Sequence, residues 1–376
     1  MGNAPPPELC DVPSDSRASI SERLKAQAYG LGFDLAGIAA LGVPDTKPQF
    51  DAWLAAGNAG NMTYLHGVGA ELRRDARAPH PGATHALIVA MNYGGREPAG
   101  PVARYARGDD YHEVLRERLR ELHRWLEVEL GRTINARPYV DSGPILERDL
   151  AQRAGLGWFG KNTMLINPRA GSFFFLSSLF VEIGPDVLLE VDDPFEADRC
   201  GSCTRCLDAC PTQAFSGPRV LDATKCISYL TIELRGAIPE PLREQIGGLL
   251  YGCDVCQEVC PWNVSFTTVL REEAFAPRAM LLDAGSRDGT RALAREMLMM
   301  DAADYAAALK GSAIKRAKLW MLQRNACVVL GNVGTDEDLA VLEAVLAHEH
   351  VIVREHAAWA MAQVQQRRLQ LHRQAE

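Results

Sequence analysis

Apolar and polar positions alternate along the chain in a way that changes character twice. Between residues 18 and 190, short apolar runs take turns with amphipathic segments. Ile20, Leu24, Ala28 and Leu31 recur at helical spacing behind Ser19 and Ser21, either of which suits an N-cap, so a helix is predicted there. Residues 33–40 and 86–91 read as strands. Residues 111–130 carry Arg and Glu at i,i+4 spacing and predict a charged helix with one solvated face. Residues 61–65 follow a glycine-rich turn and suit either a helix start or a pocket wall. A strand before Val140 is closed by Asp141-Ser-Gly-Pro144, and Pro144 suits the first turn of a helix over 145–154. The longest apolar run, 173–183, holds two serines and Glu182; it is far too short to span a membrane and reads as a buried strand. Alternating strands and helices predict an α/β or α+β domain.

Beyond residue 190 the pattern breaks into cysteine-rich loops, and from 276 it becomes helical. The division predicted is a Pro-rich, disordered 1–17, an α/β domain over 18–190, a cysteine domain over 191–275 and a helical domain over 276–376. The whole is an α+β protein. Residues 313–364 read as helical throughout. Asn325-Ala-x3-Leu330-Gly and Val353-Arg-x2-Ala357-Ala-x-Ala360 look like paired HEAT-type repeats, which bury little alone and must dock on the rest of the chain. Lys315, Arg316, Lys318 and Arg324 cluster there, as a solvated cationic face or a phosphate-contacting patch.

Composition adds bounds. The 376 residues, 47% hydrophobic and 23% charged, suit a soluble protein of two or three domains. A net charge of −8 announces no global basic field for a nucleic acid, although a local basic face is compatible with it. The N-terminus shows no secretory pattern, and Pro6 excludes a myristoylation motif. Clustered cysteines fit a reducing cytoplasm.

The chemistry sits in those cysteines, eight of ten lying between Cys200 and Cys260. The run Cys200-x2-Cys203-x2-Cys206-x3-Cys210-Pro is the pattern of bacterial ferredoxins, whose fourth cysteine serves the other cluster. Cys253-x2-Cys256-x3-Cys260-Pro repeats its last three positions, and Cys226 supplies the missing ligand. Two 4Fe–4S clusters follow: Cys200, Cys203, Cys206 and Cys260 for one, and Cys210, Cys226, Cys253 and Cys256 for the other. Zinc sites also use C-x2-C pairs, but they give no reason for the run to occur twice. Cys10 and Cys327 are left over as ordinary thiols.

Asp141 has two readings: an Asx turn or helix cap, or a carboxylic acid at a strand end that donates a proton. His112 reads as a cap or surface residue. Gly155-x-Gly157-x2-Gly160-Lys161-Asn162 imitates nucleotide-binding motifs, but a helix precedes it and Asn162 lacks the Mg²⁺-binding hydroxyl. Its glycines instead suit a close backbone approach.

Taken together, these stretches resemble the epoxyqueuosine reductases, cobalamin- and iron–sulfur-dependent enzymes that finish queuosine synthesis on tRNA. The likeness is carried by Arg104-Tyr-Ala-Arg-Gly-Asp-Asp-Tyr-His112, Tyr139-Val-Asp-Ser-Gly-Pro-Ile-Leu-Glu-Arg148, Ala154-Gly-Leu-Gly-Trp-Phe-Gly-Lys-Asn-Thr163 and Ala170-Gly-Ser-Phe-Phe-Phe-Leu176. The cysteine set with Cys226-Ile-Ser-Tyr, Tyr251-Gly-Cys-Asp-Val-Cys and the C-terminal repeats extend it over about residues 18–364. The resemblance implies that the 18–190 domain binds cobalamin with no histidine below the cobalt. It implies that the epoxide of epoxyqueuosine at the tRNA wobble position is reduced, with a desolvated, protonated Asp141 as proton donor. Arg104, Asp141, Lys161, Ser228 and Asp254 are the implied cobalamin contacts, and Arg235, Lys315 and Arg316 the candidate tRNA contacts. The implied partners are epoxyqueuosine-bearing tRNA and an external low-potential electron donor; no membrane is involved and a monomer suffices. Three rival readings compete: a reductive dehalogenase, a ferredoxin-type carrier fused to a helical binding module, and a tRNA-binding protein with structural clusters.

Overall fold

The computed structural model describes residues 18–96 and 98–375. The Pro-rich start, with Cys10, lies outside the described residues. Strands β1 (Leu35–Ala40), β2 (His85–Asn92) and β3 (Ala136–Tyr139) join β6 (Phe174–Val181) in a sheet of order β1-β2-β6-β3. The chain also forms two hairpins, β4 (Trp158–Phe159) with β5 (Leu165–Ile166) and β7 (Phe215–Gly217) with β8 (Val220–Leu221). Every pairing in the main sheet is antiparallel. Of the two classes that alternation allows, the 18–190 region is therefore α+β rather than α/β: neighbouring strands run antiparallel throughout, and the helix Tyr111–Leu130 carries the chain from β2 across β6 to β3.

Side chains of β2 sort by period two. Leu87, Val89 and Met91 face the helices Ile20–Gly30 and Tyr111–Leu130 through Leu24, Leu115, Leu119, Leu122 and Leu126. Ala86, Ile88 and Ala90 face the other way, against Leu150, Ala151, Ala154 and Leu156. Gly37 in β1 permits that second contact, since a Cβ there would sit 2.1 Å from the Ala154 carbonyl oxygen. The first helix begins at a capping box of Ser19 and Glu22, as its sequence requires. The helix after Pro144 starts later than expected, at Glu147, so Pro144 is not in its first turn. Residues 141–146 form an irregular strap instead.

The C-terminal region is interrupted at 334–335 and 348–350 rather than helical throughout. Helices Arg287–Met299 and Val351–Ala375 both pack on Leu319–Val333. This layer docks through side-chain donors on that central helix. Asn325 Nδ2 bonds the carbonyls of Thr231 and Leu250, and Asn332 Nδ2 those of Arg243 and Gly247. One hydrophobic core runs unbroken from Leu24 through Tyr251 to Val364. Arg324 is not a surface cation. It is 0% exposed and gives its guanidinium to the carbonyls of Leu230, Leu234 and Gly236. Among the described residues, no helix is long and apolar enough to cross a membrane.

Candidate active site and cysteine centres

β3 delivers Asp141 to the sheet edge with φ of 53°. A non-glycine residue holds this left-handed conformation only when neighbours over-determine it, and two do. The Tyr111 hydroxyl donates to Asp141 Oδ2 at 2.7 Å, and the Asp141 backbone N–H donates to Glu147 Oε1 at 2.9 Å. Tyr111 is fixed in turn, its ring stacked on Phe175 at 4.1 Å and on His112 at 4.1 Å. His112 Nδ1 bonds Asp110, the helix cap, at 2.7 Å, and its Nε2 lies 4.0 Å from Asp141 Oδ2. Asp141 is therefore neither a helix cap nor desolvated, for its side chain is 63% exposed. The turn tip projects it outward, and the more sheltered carboxyl of the pair is Glu147. Burial, and then the Asp141 charge, push Glu147 up to about 8.

Further side chains close around this pair. Arg148 lies within electrostatic reach of Asp141, Glu147 and Tyr93. The Tyr93 hydroxyl is raised by burial and lies within reach of Asp254, Arg104 and Cys256. Tyr93 packs on Phe175 at 4.4 Å, and beside it Asn92 holds a buried side-chain amide nitrogen that has no hydrogen-bond partner among the described residues. On the outer rim Tyr64 feels both Asp141 and Arg316, and Arg316 forks onto Glu233 at 3.0 and 3.2 Å. Asp141 thus shares one neighbourhood with a cysteine loop on one side and an exposed cation on the other.

The cysteines form two electrostatic groupings that touch where Cys256 feels Cys206. Burial, then Cys260, Cys200 and Cys203, push Cys206 up to about 11. Burial, with Cys226 and Cys210, pushes Cys253 up to about 12, and Cys256 is raised chiefly by burial, then by Cys253 and Cys226. Thiols so crowded resist ionising alone; a positively charged centre is what favours thiolates there. Backbone N–H groups already point at the sulfurs: Ala214 at Cys210 (3.3 Å), Val255 at Cys253, and Trp262 and Asn263 at Cys260. Among the described residues, no three His, Cys, Asp or Glu side chains gather tightly enough to hold a single metal ion. Cys327 is buried in the helical layer, away from both sets.

The residues singled out for the corrin scatter. Arg104 and Asp254 engage each other: the Arg104 backbone N–H donates to Asp254 Oδ2 at 2.8 Å, and its guanidinium also reaches Glu258 at 2.6 Å. Ser228 gives its N–H and hydroxyl to the Cys226 sulfur. Lys161 Nζ bonds the carbonyls of Gly201 (2.7 Å) and Cys203 (2.9 Å). Of the tRNA candidates, Arg235, Lys315 and Arg316 are exposed. Arg235 Nη2 bonds the Arg316 carbonyl at 3.4 Å, while Lys315 lies over the Tyr305 ring. Sequence reasoning missed Tyr111, Glu147 and Trp158. Glu147 left one signal, a second carboxylate six residues after Asp141; Tyr111 and Trp158 left none beyond their place in the quoted segments.

Known proteins carry the same parts. Residues 73–142 match the model described as Epoxyqueuosine reductase QueG, and residues 199–263 a 4Fe–4S double cluster binding domain. An epoxyqueuosine reductase of Escherichia coli (strain K12) is 40% identical, over 93% of this chain and 90% of its own length. One of Pseudomonas aeruginosa is 38% identical, over 95% and 98%. A crystal structure of epoxyqueuosine reductase with an epoxyqueuosine-modified tRNA-Tyr stem loop superposes with a TM-score of 0.79 at 29% identity, covering 91% of this chain and 89% of that one. A Bacillus subtilis epoxyqueuosine reductase whose catalytic Asp loop is swung out of the active site gives 0.76 at 29% identity, over 91% and 90%.

Proposed function

The chain belongs to the epoxyqueuosine reductase family, and from that premise we propose that it reduces the epoxide of epoxyqueuosine, at the wobble position of tRNA, to the cyclopentene of queuosine. The change takes two electrons and two protons and releases the epoxide oxygen as water. Cobalamin, when bound, supplies a strongly reducing cobalt centre, fed with single electrons from the 4Fe–4S clusters. The two thiol sets fit one cluster each: Cys200, Cys203, Cys206 and Cys260, and Cys210, Cys226, Cys253 and Cys256. For the corrin, the half-buried Tyr93 ring and the Asn92 amide, unpartnered among the described residues, suit a flat macrocycle edged with amides. Ser228 and Arg104 are its further contacts, with Asp254 acting through Arg104. The Lys161 amine serves the first cysteine loop instead.

Asp141 is the proton donor to the departing oxygen. Tyr111 aims its carboxyl, and Glu147 holds its backbone while keeping a proton close by. The observation that carries this reading is the short electrostatic path from Asp141 through Arg148 and Tyr93 to Asp254 and Cys256. Arg235, Lys315 and Arg316 are the cations offered to the anticodon arm. The helical layer that carries Lys315 and Arg316 reads as HEAT-like, the electrons come from an external low-potential donor, and the setting is cytoplasmic. Anaerobic incubation with cobalamin, a strong reductant and epoxyqueuosine-containing tRNA, followed by nucleoside mass analysis, tests the activity. Queuosine must replace epoxyqueuosine; unchanged substrate with both clusters present overturns the assignment.

A further inference from the structure

Trp158, at the start of β4, is 2% exposed and carries a single polar atom, the indole Nε1–H. A buried indole N–H almost always finds a partner. Here that partner is Cys200 Sγ at 3.4 Å. The ring is wedged between Phe195, stacked at 5.6 Å, and Trp262, edge-on at 5.1 Å. Its position is therefore fixed by packing rather than by the sulfur. The rest of the glycine segment works on the same loops. Lys161 binds the Gly201 and Cys203 carbonyls, and Asn162 Nδ2 binds the Cys256 carbonyl at 3.1 Å. The opposing charge is Asp198, which accepts the Cys200 backbone N–H at 2.9 Å and is itself paired with Arg219. A segment that imitates a phosphate loop in sequence is thus a cradle for cysteine loops.

We propose that Trp158 sets the reduction potential of the cluster held by Cys200, Cys203, Cys206 and Cys260, by donating its indole N–H to the Cys200 sulfur. The proposal rests on the cluster assignment above. Adding an electron to a cluster places negative charge on its sulfurs. A fixed N–H dipole aimed at one of them favours the reduced form and raises the potential. Trp158 is a positioning residue: it ligates nothing, and its effect passes through Cys200.

The test is a potentiometric titration of the anaerobic, full-length protein followed by EPR, comparing wild type with Trp158→Phe, which keeps an aromatic ring and removes the donor. One midpoint is expected to move negative by a tenfold change in its one-electron equilibrium constant, about 59 mV, while the other stays in place. Two unmoved midpoints at full iron and sulfide content overturn the proposal. Absence of iron and sulfide from the wild type would instead overturn the cluster assignment. Should Trp158→Phe lose its cluster, pulsed EPR of indole-¹⁵N-labelled protein in a Trp262→Phe background decides. A ¹⁵N coupling to the reduced cluster supports the hydrogen bond, and its absence overturns it.

Discussion

Glu147 accepts the backbone N–H of Asp141 at 2.9 Å, so the two carboxyl-bearing residues are joined through the main chain of one and the side chain of the other. The exposed partner is free to meet a substrate, and the sheltered one holds a proton beside it. In the proposed reaction this arrangement separates delivery from storage.

Replacing Asp141 by Asn keeps the shape and its contact with Tyr111 but removes the acid. Turnover is expected to fall by about 10²–10⁴-fold, the usual worth of a positioned proton donor, with iron, sulfide and cobalamin content unchanged. Single-turnover assays with metal analysis of the same sample measure both. Near-normal turnover would remove Asp141 from the role.

The raised Glu147 carboxyl, at about 8, predicts an alkaline limit. Above its ordinary value the group stays protonated through neutral pH, and as pH rises through about 8 it loses the proton it holds beside Asp141. Turnover should decline across that window. Glu147→Gln retains an oxygen for the Asp141 N–H but cannot titrate, so its alkaline limb should shift or vanish in a pH–rate profile. An identical limb in the variant would assign it to another group.

His356 is 0% exposed, accepts the Ile238 N–H on Nε2 at 3.1 Å and bonds the Ile352 carbonyl through Nδ1 at 2.7 Å. The Nε2 bond requires the neutral ring, and burial lowers its pKa to about 4. The unfolded chain takes up this proton near 6.5, before the folded one does, so stability is full above about 6.5 and is lost as pH falls toward 4. The total is about 3 kcal/mol. Anaerobic thermal unfolding at pH 7 and 5.5 should show a drop about 2 °C smaller in His356→Gln than in wild type. Equal drops would show that the ring does not titrate as described.

Arg324 supports the Cys226 segment from the helical layer. Its guanidinium satisfies carbonyls left over by the turn at Tyr229–Glu233, and burial lowers its pKa to about 9. Arg324→Met orphans those carbonyls, at a cost of about 3 kcal/mol. It should also loosen the ligand loop, so that iron per chain falls toward half. Full iron retention would show that the loop stands without it.

The extent of the strands and of the long charged helix was legible because periodicity reports directly on which face is buried. Cysteine spacing was legible for a similar reason, since a ligand loop constrains its own local sequence. Strand direction was not: alternation at 18–190 left α/β and α+β both open, and only the long-range pairing of β2 with β6 decides the sense. The partners of Arg324 and Lys161 lie 94 and 42 residues away, too far for any local pattern to register. Charge marked Arg324 as a surface group and the resemblance named Lys161 as a cofactor contact, whereas their neighbours show a guanidinium that binds carbonyls and an amine that braces a loop.

Asn263 and Gln257, in the second cysteine run, are laced to Ser172: Asn263 accepts its N–H at 2.6 Å, and Gln257 reaches its carbonyl at 3.0 Å. The cluster-bearing stretch therefore borrows its shape from the sheet that precedes it. Although 191–275 reads like an electron carrier spliced into a larger enzyme, it is no longer a portable cassette. Excised, it would leave those buried amides without mates, and the redox module has given up the independence its ferredoxin-like spacing advertises.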